Sequence, residues 1–128
     1  MKWIKTLLIT VTSLSILNVW FFRFGNATRY RGGDATSLLE EFLVYGFSEN
    51  FMYFIGALKI FASLALLVGI FYNKLILPAA SVIAVLMLGA ISVHFKVQDE
   101  WIKFFPATLF FVFSIAIIVL ELQRKRNA

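Results

Sequence analysis

Hydrophobic residues along this chain gather into four runs, about Ile4 to Phe24, Phe51 to Phe71, Leu75 to Phe95 and Ile102 to Leu120. Each has roughly the 20 residues needed to span a hydrocarbon core of about 30 Å. Inside lipid a segment must satisfy its own backbone hydrogen bonds, so all four runs are predicted to be helices. Between the second and third, Tyr72-Asn73-Lys74 leaves room only for a tight turn, which makes those helices antiparallel neighbours. Pro78 and Pro106 fall near helix starts, where a missing N–H is tolerated and no kink follows.

The one long connection, roughly Gly25 to Asn50, has a different pattern. Arg29-Tyr30-Arg31-Gly32-Gly33-Asp34 reads as a turn, and Ser37 with Glu40 three residues on fits a capping box. Leu38, Leu39, Phe42 and Leu43 then share a face away from Glu40 and Glu41, and Gly46 supplies a stop. The pattern predicts a short amphipathic helix, about Thr36 to Tyr45, lying on the outer membrane surface or capping the bundle. The predicted whole is a single all-α domain over residues 1–128: a four-transmembrane-helix bundle with this short outer helix between the first two spans.

Composition agrees with that pattern. With 61% hydrophobic and 15% charged residues, there is too little polar surface to cover a soluble core. Lys2 and Lys5 before the first run suggest a signal peptide, but no small-x-small cleavage site follows, so the run is expected to stay as a helix. The net charge of +5 bears on topology rather than on nucleic acid. Lys2, Lys5, Lys74, Arg124, Lys125 and Arg126 fall on one side, with Glu121 the lone acid. Arg23, Arg29, Arg31, Lys96 and Lys103 fall on the other, with the remaining acids. The dense basic tail and the pair before the first run place both termini in the cytoplasm. Trp20, Phe21, Phe22, Phe24, Phe51, Tyr53, Phe54, Trp101, Phe104 and Phe105 crowd the opposite boundary as an interfacial belt.

Candidate chemistry centres on Lys59, a cation in the middle of the second run. A charge at that depth is costly and calls for a partner, a water-filled cavity or a substrate path. Gly56, Ala62 and Ser63 put it on a small-residue stripe, which marks a helix–helix interface. His94 lies on a similar stripe with Ala80, Ala84, Met87 and Ala90. Asn18 and Arg23 of the first run belong to the same outer half, and Glu40 and Glu41 are the nearest anionic partners if the short helix folds over it. Lys59 is then an internal strut, one wall of a polar pocket, or an amine that burial neutralises. Without cysteine, thiol–disulfide exchange and thiolate metal sites are excluded within the chain. A single histidine supplies neither bis-histidine haem ligation nor a multi-histidine metal site, and no phosphate loop or nucleophile elbow appears.

Several of these residues together resemble the DoxX-like family of small four-helix bacterial membrane proteins. The resemblance is carried by Arg29 to Ala35, Glu40-Glu41-Phe42, Tyr45-Gly46, Gly56-Ala57-Leu58-Lys59, Leu66 to Gly69, and Ala90 with His94. It implies a four-helix bundle in the bacterial cytoplasmic (inner) membrane, with recurrent polar positions at Arg31, Glu41, Lys59 and His94. Some relatives are associated with quinone-linked oxidoreductase systems, including sulfur oxidation, although the lack of cysteine tells against thiol-based sulfur chemistry here.

The expectation is a non-catalytic membrane protein that binds a partner or a lipid-like molecule in an outer-half pocket around Lys59 and His94. Asn18, Arg23, Arg31, Glu40 and Glu41 complete the candidate set, with no metal and no nucleic acid. The alternative is a membrane subunit of an oxidoreductase, with Lys59 or His94 contacting a quinone carbonyl. A small-solute transporter ranks lower, because four helices without a repeat make a thin pathway unless the protein forms a homo-oligomer. The partners expected are the bilayer itself and a membrane or periplasmic protein.

Overall fold

The computed structural model describes residues 2–22, 25, 35 and 37–127. Among them the chain is helical, without strands: α1 (Lys2–Phe21), α2 (Leu38–Val44), α3 (Glu49–Gly69), α4 (Ile76–Lys96) and α5 (Phe105–Asn127). Short 3₁₀ turns, Asn73–Leu75 and Trp101–Phe104, lead into α4 and α5. The four long helices are the four apolar runs, with ends displaced by a few residues. The largest change is in α5, which continues past Leu120 to Asn127 through its charged tail.

The long helices close into a ring. α1 packs against α3 and α5, and α4 packs against the same two; the diagonal pairs bring no Cα atoms within 8 Å of each other among the described residues. Ile9, Ile16, Met52, Leu66, Ile76, Ile83 and Ile117 fill the centre. The outward positions are apolar too, including Phe61 at 71%, Phe71 at 92% and Val85 at 69% exposure. A bundle in water would not leave such a surface uncovered, whereas acyl chains would cover it. All four helices are long and apolar enough to cross a membrane.

α2 caps one end of the ring. Ser37 Oγ accepts the Glu40 N–H at 3.2 Å, satisfying one orphan donor of the first turn. At the other end Gly46 turns left-handed, φ 87°. The Gly46 N–H then bonds to the Leu43 carbonyl and the Phe47 N–H to the Phe42 carbonyl, both at 3.0 Å. This double bond pattern is a Schellman motif, and the Phe42–Phe47 ring contact is the apolar clasp that accompanies it. Leu38, Phe42 and Tyr45 face inward, at i, i+4 and i+7. Leu43, expected on that face, is 55% exposed. Ser48 Oγ accepts the Phe51 N–H at 3.1 Å and starts α3 two residues earlier than the apolar run does.

Three buried hydroxyls sit between the two ends of the bundle. Thr12, Ser13 and Ser63 have no hydrogen-bond partner among the described residues. Ser114, in contrast, donates to its own helix at the Phe110 carbonyl, 2.7 Å away.

Candidate functional site

A cavity of about 180 Å³ lies beneath α2, walled by all four long helices. Apolar atoms dominate its lining, from Ile16, Val19, Leu38, Met87, Ala107 and Phe110. Four ionisable side chains reach it: Glu41, Lys59, His94 and Lys103.

Lys59 is seated by a glycine one turn before it. A Cβ at Gly56 would overlap the Trp20 indole, so the missing side chain is what admits that ring between α1 and α3. Trp20 is consequently buried and packs edge-on against Phe42, 6.2 Å between centroids, instead of joining the interfacial belt expected of it. The Lys59 Nζ then stands over the indole, 5.8 Å from its centroid, within cation–π range. Among the described residues Lys59 has no hydrogen bond and no ion pair.

His94 is held differently. α4 ends in a second Schellman motif: the Gln98 N–H bonds to the Phe95 carbonyl and the Asp99 N–H to the His94 carbonyl, each at 3.1 Å. Gln98 sits at φ 56°, the left-handed conformation that glycine usually supplies. This turn folds Asp99 back onto His94, and its Oδ2 lies 2.6 Å from Nδ1. A carboxylate only accepts, so Nδ1 carries the proton and donates to it. The Tyr45 hydroxyl, 3.3 Å from Nδ1, donates to Glu41 Oε1 at 3.0 Å. Tyr45 with Glu41 and His94 with Asp99 are thus two hydrogen-bonded pairs that meet where the Tyr45 oxygen approaches Nδ1. The other ring nitrogen, Nε2, has no hydrogen-bond partner among the described residues. It offers a lone pair when the ring is neutral and a donor when it is charged.

The cavity thus unites three of the residues singled out in the sequence, Lys59, His94 and Glu41. Asn18 does not reach it: the buried face of α1 runs through Ile9, Ile16 and Trp20, and Asn18 lies on the opposite, exposed side. Glu40 is exposed, on the side of α2 away from the bundle. Arg23 and Arg31 lie outside the described residues. Sequence reasoning did not place Trp20, Tyr45, Asp99 or Lys103 at the site. Gly56 was the available clue to Trp20, as a small residue opposite a large ring.

A second polar cluster lies at the other end. Glu121 is fully buried on α5 and binds Lys5 Nζ of α1 through Oε1 at 2.9 Å. Arg124 grips the same carboxylate with Nε at 2.9 Å and a second guanidinium nitrogen at 2.8 Å. Lys5 and Glu121, read from sequence only as topological charges, form a buried tie between the first and last helices.

Four apolar spans closed around buried polar clusters define a multi-pass membrane protein. The chain belongs to the DoxX-like family, whose family model matches residues 13–118. No curated protein and no solved structure matches it.

Proposed function

We propose that the protein binds a small anionic or carbonyl-bearing group, such as a lipid-like molecule's head, in the cavity under α2 and does not transform it. The observation that carries this is the Lys59 side chain, on the cavity wall without a hydrogen bond or ion pair among the described residues. A strut would spend its donors on protein acceptors, because an ammonium in an apolar bundle is costly to leave unbonded. Here the donors are left for an occupant, and His94 Nε2 supplies a second polar contact. Volume sets the scale. A cavity of about 150 Å³ admits one benzene ring, so about 180 Å³ suits one ring or one headgroup, with any tail outside.

The bacterial inner membrane, with both termini in the cytoplasm, belongs to the same proposal. It is supported by the basic residues at the end bearing the termini. A reporter fused after Ala128 that scores as periplasmic would overturn that orientation.

Mass spectrometry of small molecules that co-purify with the protein tests the binding. A carbonyl- or carboxylate-bearing molecule is expected with the wild type and is expected to be lost in Lys59→Met, while the variant keeps its stability in detergent. Equal retention by Lys59→Met, or loss of stability without loss of a ligand, would return Lys59 to the role of strut. A quinone that exchanges electrons while bound would replace simple binding with membership of a redox system.

A further inference from the structure

We propose that a second cavity, at the end bearing the termini, is a binding site for a phosphate-bearing anion. It measures about 430 Å³ and opens where α1 begins and α5 ends. Ile9, Ile70 and Ile76 form its apolar floor, and Lys2, Lys5 and Arg124 bring three cations to its wall.

The cluster around Glu121 explains why these cations are an organised site. The carboxylate lies behind the wall, fully buried and not among the lining residues. Its three hydrogen bonds fix Lys5 and Arg124 in place. Those bonds use one of three N–H donors on the lysine and two of five on the guanidinium, so donors remain for an occupant. Three cations against one carboxylate leave a net of two positive charges, and no acid lines the cavity itself. Asn73 and Asn127 add amide donors from other directions. Donors converging from α1, α5 and the turn before α4 suit the several oxygens of a phosphate better than the two of a carboxylate. Basic pockets between membrane helices take phosphate headgroups in this way.

Lys125 and Arg126, the next residues of the tail, are exposed and do not line the cavity. They provide the internal control. Binding to the purified full chain in an uncharged detergent would be followed by native mass spectrometry. The probes are inorganic phosphate, a short-chain phosphatidylglycerol, and a short-chain phosphatidylcholine of no net charge. Saturable binding of inorganic phosphate, with or without phosphatidylglycerol, shows that the phosphate group alone is recognised; binding of phosphatidylglycerol alone identifies a lipid headgroup. Both support the site. Lys2→Gln, which leaves the Glu121 cluster intact, is expected to weaken binding about fivefold, the effect of one basic side chain near a membrane surface. Ile70→Phe, which narrows the floor, is expected to weaken it as well. Three outcomes would overturn the proposal: no saturable binding of either anion, equal binding of phosphatidylcholine, or a Lys125→Gln/Arg126→Gln double variant that loses as much as Lys2→Gln.

Discussion

Replacing Glu121 with glutamine removes a charge while keeping the shape of the side chain. The native carboxylate accepts three hydrogen bonds, from Lys5 Nζ and from two Arg124 nitrogens. A glutamine amide has one acceptor oxygen and two donors of its own, so at least one approaching N–H must face another N–H. Lys5, whose side chain is 9% exposed, is then left in the bundle as an uncompensated ammonium. Breaking a buried pair from one side costs about 3–5 kcal/mol. The Arg124 contribution needs discounting, because that side chain is 38% exposed and an exposed pair adds only about 0–1 kcal/mol. Glu121→Gln is therefore expected to cost about 3 kcal/mol, nearly all of it through Lys5. Lys5→Met in the same background removes the stranded charge and should recover about half of the loss, a coupling of roughly 2 kcal/mol. Reversible unfolding in mixed detergent micelles, followed by helical circular dichroism, measures all four corners of the cycle. Additivity of the two substitutions within about 0.5 kcal/mol would refute the pairing.

Two further substitutions test the seats of Lys59 and His94. Gly56→Ala places a methyl group against the Trp20 indole and is expected to cost about 1–3 kcal/mol, with weaker ligand retention at Lys59; unchanged stability and retention would show that the glycine does not position the ring. Gln98→Gly relieves a left-handed residue and is expected to raise stability by about 1 kcal/mol in the same unfolding assay, whereas Gln98→Ala should not. Equal stability of the glycine and alanine variants would show that the turn carries no strain.

The four spans were legible because a run of apolar residues is a statement about solvent, and length alone does the rest. Local capping was legible as well: Ser37 and Gly46 act through residues three or four positions away. What escaped depended on contacts distant in sequence or on unusual backbone. Trp20 looked like a boundary aromatic until Gly56, 36 residues later, made room for it. Asp99 reaches His94 only because Gln98, with no glycine to signal it, turns left-handed. Lys5 and Glu121 are 116 residues apart, and charge counting along the chain does not pair them. Asn18 is a different case. The spacing of Ile9, Ile16 and Trp20 already excludes it from the inner face of α1, so helical phase outweighs its polarity.

The turn after α4 ties Asp99 to His94 twice, once through the backbone and once through the side chain. That makes it a latch whose catch is the imidazole. The side-chain tie fixes the ring while the backbone tie fixes the turn, and a few residues beyond it Pro106 and Ala107 form part of the cavity wall. A molecule that meets His94 through Nε2 therefore finds a ring whose orientation the turn has already set.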